Sequence, residues 1–161
     1  MPVSKKQKSL SIQEIYQKIT AWCAYQDRCH AEVRDKLYSY ELKTDDINEI
    51  ISKLIQESYL NEERFARSYA GGKFRIKKWG RKKILSGLKQ KSVSPNCIKL
   101  GMQEIDEQDY ELTMLMLIEK KNKELGKEKN DYIRNNKIAE YLIRKGYEPD
   151  MVWDIIKKIC S

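Results

Sequence analysis

Few side chains in this chain could do covalent or metal chemistry. His30 is the single histidine, with Cys23 and Cys29 close before it. A zinc site built on these three would need close cysteine pairs at two-to-four spacing and a fourth ligand. Cys97 and Cys160 lie far off in the sequence, and no C-x-x-C pattern occurs. His30 stands at the expected start of a helix and reads as a structural or solvent-facing residue. Neither a G-x-x-x-x-G-K-[ST] phosphate loop nor a G-x-G-x-x-G turn is present. The carboxylates fall on helix faces with lysines nearby, as in ordinary i, i+4 pairing. No nucleophile or acid–base pair stands out. The expectation is a chain without catalytic residues, metal or cofactor, hence not an enzyme.

The chemistry that does stand out is cationic. The chain has 32 Lys and Arg against 24 Asp and Glu, a net charge of +8. Residues 1–63 hold 9 basic and 11 acidic side chains, and residues 104–161 hold 11 and 13. Residues 64–103 hold 12 basic side chains and no acidic one. The excess therefore sits entirely in the middle of the chain. Its members are Arg64, Arg67, Lys73, Arg75, Lys77, Lys78, Arg81, Lys82, Lys83, Lys89, Lys91 and Lys99, with Phe65, Tyr69, Phe74 and Trp79 between them. Solvated helix faces normally mix both signs, so this block points to a polyanion or an acidic protein surface as partner. Trp79 has two roles open to it: contact with a base or a partner pocket, or cover for a turn between two helices. Trp22 and Trp153 sit in apolar stripes and are expected in the core.

These residues must be positioned by helices. Ile12, Ile15, Tyr16, Ile19, Trp22 and Cys23 recur at i, i+3, i+4 spacing, and Ser11 with Glu14 forms a capping box ahead of them. Ile47, Ile50, Ile51, Leu54 and Ile55 make a second stripe, and Met151, Val152, Ile155, Ile156 and Ile159 another. No useful stretch alternates apolar and polar residues, so no strand is expected. With only 7 Gly and 3 Pro, the turn punctuation of a β-sandwich is missing as well.

The stripes repeat. Val33, Leu37, Leu42, Ile47, Ile51 and Leu54 return as Ile84, Leu88, Val93, Ile98, Met102 and Ile105, then as Ile138, Leu142, Tyr147, Val152, Ile156 and Ile159. Pro95 and Pro149 hold the place of Thr44, where a helix is expected to begin. Upstream helices are expected over about Leu10–Tyr25, Asn61–Ile76 and Tyr110–Leu125. In the middle one, Phe65, Tyr69, Gly72 and Ile76 form the expected inner stripe, with Arg67, Phe74 and Lys78 facing away. A kink or an end is expected at Gly71-Gly72, since mid-helix glycine costs ~1 kcal/mol against alanine. The fold class is all-α: nine helices in three tandem three-helix repeats, an elongated and curved array. Its parts would be a flexible N-terminus (1–9), repeat 1 (10–60), a basic repeat 2 (61–109) and repeat 3 (110–161).

No apolar run approaches a membrane span. The lysine-bearing start of the chain has no apolar segment behind it, so no secretory signal is expected. Four dispersed cysteines suit a cytoplasmic protein with reduced thiols. No heptad seam marks a coiled coil, and a monomer is expected.

The residues also resemble a known family. Asp27-Arg28-x-x-x-Glu32-Val33-x-x-x-Leu37 resembles the first-repeat motif of the RecX family, bacterial regulators of the RecA recombinase. Tyr59-Leu60-Asn61-Glu62-Glu63-Arg64-Phe65-Ala66 is similar to its most distinctive segment. Gly80-Arg81-x-x-Ile84-x-x-x-Leu88-x-x-Lys91 and Ile138-x-x-x-Leu142-x-x-Lys145-Gly146-Tyr147 resemble the motifs of its second and third repeats. The likeness covers roughly Ile12 to Ile159. Ser58 and Ser92 stand where the family has Gly, and Cys29 stands near a usual Ser. Gly71-Gly72 is outside the pattern.

The resemblance implies a three-repeat helical modulator without catalytic activity. It would bind RecA filaments on single-stranded DNA and suppress ATP hydrolysis, strand exchange and coprotease activity, in recombination, DNA repair and the SOS response. The residues expected to meet the filament, or to make a weaker direct contact with nucleic acid, are Arg64, Arg67, Lys73, Arg75, Lys77, Lys78, Trp79, Arg81, Lys82, Lys83 and Lys89. The alternative reading is a direct DNA-binding helical module using the basic second repeat.

Overall fold

The computed structural model describes residues 9–160, except for the side chain of Cys160. Residues 1–8 of the expected N-terminal segment lie outside it. Nine helices and no strand occur among the described residues. They divide into two compact units, one ending at Glu62 and one beginning at Glu63.

The first unit holds α1 (Ile12–Tyr25), α2 (His30–Tyr38) and α3 (Thr44–Gln56). The Ser11 hydroxyl accepts from the Glu14 backbone N–H at 3.2 Å, so the expected cap forms. The Cys29 sulfur does the same for the Glu32 N–H at 3.4 Å, filling the place of a serine cap. Ile15, Ile19, Val33, Leu37, Ile47, Ile50, Ile51 and Leu54 close the core. Trp22 packs only partly against it. Its exposed face carries the Arg28 guanidinium, 3.9 Å from the ring centroid. Trp153 is likewise half-buried, so neither tryptophan is the core residue its stripe suggested. Ile55, at the margin of its stripe, stays 46% exposed.

The second unit holds α4 (Glu62–Arg75, from its second residue), α5 (Arg81–Gln90), α6 (Pro95–Met102), α7 (Glu107–Glu124), α8 (Asp131–Arg144) and α9 (Pro149–Cys160). Thr44, Pro95 and Pro149 each open a helix, as the repeat predicts. The repeat positions Val33, Ile84 and Ile138, and Leu37, Leu88 and Leu142, are all fully buried.

α4 departs from its expected pattern. It runs unbroken through Gly71-Gly72, and it buries Phe65, Ala66, Ala70, Gly71 and Phe74. Ile76 is 78% exposed and lies past the helix end. The reason is close packing of small residues. A Cβ added to Gly101 of α6 would come within 2.7 Å of the Ala66 carbonyl oxygen. The helix turns Ala66 toward α6, and Phe74 lies on the buried side with it. This tertiary contact outweighs the local cost of two glycines.

Candidate partner interface

The basic block is distributed over α4, the turn that follows it, α5 and α6. Its members are not equivalent. Arg67 is committed within the repeat, 3.1 Å from both Glu63 and Glu104. Those two carboxylates, rather than burial, raise the affinity of its guanidinium for the proton. Arg64 is exposed in the first turn of α4, and Arg75 and Lys77 are exposed at and beyond its end. Lys78 takes a positive φ of 59°, donates to the Arg75 carbonyl at 2.9 Å, and accepts the Tyr147 hydroxyl on its own carbonyl at 2.8 Å.

Arg81, a candidate partner contact, is the hub of the seam joining the second and third repeats. Its guanidinium lies 2.6 Å from Glu107 and 3.0 Å from Glu148, and 3.9 Å above the Tyr110 ring. Its backbone N–H donates to the Tyr110 hydroxyl at 3.1 Å, and that hydroxyl donates in turn to Glu148. Burial disfavours its charge, but the two carboxylates more than offset this. Burial, and then the bond to Glu148, push the Tyr110 hydroxyl far above the ordinary tyrosine range. The Gly80 N–H donates to the Lys145 carbonyl at 2.8 Å, and the Lys82 N–H to the Gly146 carbonyl at 2.9 Å. A Cβ on Gly80 would sit 2.3 Å from the Gly146 carbonyl carbon. Gly146 itself has a φ of +104°. Both glycines are therefore required by the close approach of two backbones.

What remains for a partner is mainly on α5 and around Trp79. Lys82, Ser86 and Lys89 are exposed on one face of α5, as their opposition to Ile84 and Leu88 predicts. With Leu85 and Gln90 they line a shallow surface depression. Lys82, Lys83 and Lys89 make no ion pair among the described residues. Trp79 is half-buried, with the ammonium groups of Lys83 at 4.4 Å and Lys73 at 4.8 Å from its ring.

Among the described residues no three of His, Cys, Asp and Glu come together to hold a metal ion. Cys23 is buried in the first core, Cys29 serves as a cap, and His30 Nδ1 lies 3.5 Å from Glu62. No described helix is long and apolar enough to cross a membrane.

Comparison with known proteins places these features. A family model of the second three-helix domain of RecX matches residues 61–102, and one of the third matches residues 109–156. Together the two cover more than half of the chain. The chain belongs to the RecX family. "Regulatory protein RecX" of Bacillus mycoides (strain KBAB4) is 31% identical over 142 residues, 88% of this chain and 52% of that protein. Its counterpart in Clostridium perfringens (strain SM101 / Type A) is 33% identical over 131 residues, 81% of this chain and 61% of that protein. The chain thus spans 52% to 61% of the length of these curated relatives. The crystal structure of RecX from Lactobacillus salivarius matches with a TM-score of 0.83 at 28% identity, over 91% of this chain and 95% of that one. Another, titled regulatory protein RecX, matches with a TM-score of 0.78 at 19% identity, over 95% and 82%, and bears on the fold alone.

The RecX motifs now acquire a physical meaning. Gly80-Arg81 and Lys145-Gly146-Tyr147 are the two sides of the seam between repeats. Reading them as repeat motifs finds them, but composition cannot show that they meet. Sequence reasoning missed Tyr110 and Glu148 altogether, because neither lies in a charge run. Ser58 and Ser92, which replace family glycines, take positive φ values of 64° and 59°.

Proposed function

We propose that this chain is a non-enzymatic modulator, mainly an inhibitor, of the RecA recombinase. It binds RecA filaments on single-stranded DNA and limits filament extension, ATP hydrolysis, strand exchange and coprotease activity. It acts in the cytoplasm as a monomer. The observation that carries the reading is the exposed cationic face of α5, Lys82 and Lys89, on a chain of the RecX family. Such a face suits the acidic surface of a protein polymer or the phosphates it holds.

Co-sedimentation tests it, at physiological salt, with recombinase filaments held on single-stranded DNA by a slowly hydrolysed ATP analogue. Pelleting with filaments but hardly with bare DNA is the expected result. The double variant Lys82→Glu/Lys89→Glu keeps its helicity and melting temperature and loses filament affinity by about tenfold or more, since like charges now face an acidic partner. Unchanged binding by that variant moves the partner site elsewhere. The second reading, direct DNA binding by the basic repeat, is favoured by the cations around Trp79. Equal retention on bare DNA, falling steeply with salt, would select it.

A further inference from the structure

Lys145, the residue after α8, is held against the turn that joins α4 to α5. Its carbonyl accepts the Gly80 N–H at 2.8 Å, and its ammonium donates to the Lys77 carbonyl at 3.3 Å. The side chain is half-buried, with the Tyr141 ring 5.6 Å from the nitrogen. The nitrogen is therefore fixed in place and still reachable from solvent.

The charges that act on it are cationic. They belong to Lys83 of α5 and Lys120 of α7, and Lys121 lies against the same Tyr141 ring at 4.9 Å. Lys145 makes no ion pair among the described residues. The nearest carboxylates along the chain are committed or turned to other cations. Glu148 is held by Arg81 and Tyr110, and Glu140 lines a groove with Lys121, Lys137 and Arg144. Glu124 of α7 pairs with Lys121 at 3.4 Å. Burial, and then the charges of Lys83 and Lys120, hold the Lys145 ammonium below the ordinary lysine range. More free amine is thus present near neutral pH than at an ordinary surface lysine. The neutral amine keeps one N–H on the Lys77 carbonyl and leaves its lone pair free. Desolvation and a neighbouring cation are what activate a lysine as a nucleophile. The same cations attract an anionic electrophile to its side.

We infer that Lys145 is an acylation site for acyl phosphates, with Lys83 and Lys120 holding the phosphate while the amine attacks. The Nζ lone pair bonds to the acyl carbon, and the bond from that carbon to the phosphate oxygen breaks. Inorganic phosphate leaves with the electron pair and takes up the proton that the nitrogen loses. The amide keeps an N–H for the Lys77 carbonyl and removes one of three mutually repelling charges, so the seam tolerates the product. The site is independent of the filament reading, since it needs no protein or nucleic-acid partner.

The test is acetylation of the purified chain by acetyl phosphate, followed at each lysine by peptide mass spectrometry, with acetic anhydride as an uncharged donor in parallel. At neutral pH Lys145 should react about threefold or more faster than the exposed Lys82 and Lys89. Its rate should also level off at a lower pH than theirs. Lys83→Gln, with its melting temperature retained, should shrink this lead, and more so for acetyl phosphate than for acetic anhydride. In denaturant the lead should vanish, because the three lysines meet only in the fold. Lys145 reacting no faster than Lys82 and Lys89 overturns the site. A lead that persists in denaturant overturns it in favour of local sequence. A lead with acetic anhydride alone overturns the acyl-phosphate assignment, and a lead unchanged in Lys83→Gln overturns the part given to the cations.

Discussion

Ser58 and Ser92 pay a conformational cost that glycine would not. Each follows the end of a helix, and each N–H closes a turn onto a carbonyl of the last helical turn, Ile55 for Ser58 and Lys89 for Ser92. Tyr59 and Val93 then reach back to Leu54 and Leu88, completing Schellman motifs in which the serine must be left-handed. An L-residue in that region costs ~1–2 kcal/mol, partly offset by the greater freedom glycine has when unfolded. Ser92→Gly is therefore expected to stabilise the chain by about 0.5–1 kcal/mol, read as a raised denaturant midpoint at unchanged m-value. Tyr110 gives a second residue-level outcome. Its folded-state pKa lies above the ordinary 10.0, so the folded chain keeps a proton the unfolded chain gives up. The stability this represents is present below pH 10 and is lost as the pH rises further. Of the 10 tyrosines, Tyr110 and the equally buried Tyr147 should ionise only as the chain unfolds in alkali. A spectrophotometric titration in which all ten ionise together, ahead of unfolding by circular dichroism, would contradict this.

At the scale of elements, two glycines that look alike in sequence behave oppositely. Gly72 sits in mid-α4 with nothing within 4 Å of an added Cβ. Gly72→Ala is expected to stabilise the chain by ~1 kcal/mol, the ordinary helix-propensity difference. Gly80 caps α5, and its added Cβ would run into the backbone of Gly146 and Tyr147. Gly80→Ala should destabilise by at least ~2 kcal/mol, because two backbone segments must separate and their hydrogen bonds with them. Thermal melts of the two variants side by side check both signs. The legibility of the elements follows the same division. Caps, proline starts and stripes placed nearly every helix, since those signals act within a few residues. The rotation of α4 was not legible, because it depends on Gly101 of a helix some thirty positions away meeting Ala66.

At the scale of the molecule, the seam makes the second and third repeats one compact unit, while residues up to Glu62 form another. Arg81 is its hub, half of a part-buried network with Glu107, Glu148 and Tyr110. Arg81→Met leaves Glu148 short of a partner and should cost ~2 kcal/mol. The loss should appear in hydrogen exchange of α5 and α7–α9, with α1–α3 unchanged. Faster exchange throughout all nine helices would show instead that the two units open together.

The sequence by itself determined the helices, the threefold repeat, the family and the block of uncompensated charge. These rest on local periodicity and on composition, and both can be counted along a single chain. Only the tertiary structure decided which cations the fold itself pairs and which it leaves exposed. It set Arg67 and Arg81 against carboxylates of this chain, left Lys82 and Lys89 to solvent, and brought Lys145 and Tyr141 to the lysines around Trp79. Charge acts through distance in space, and residues some seventy positions apart become neighbours only when two helical repeats dock.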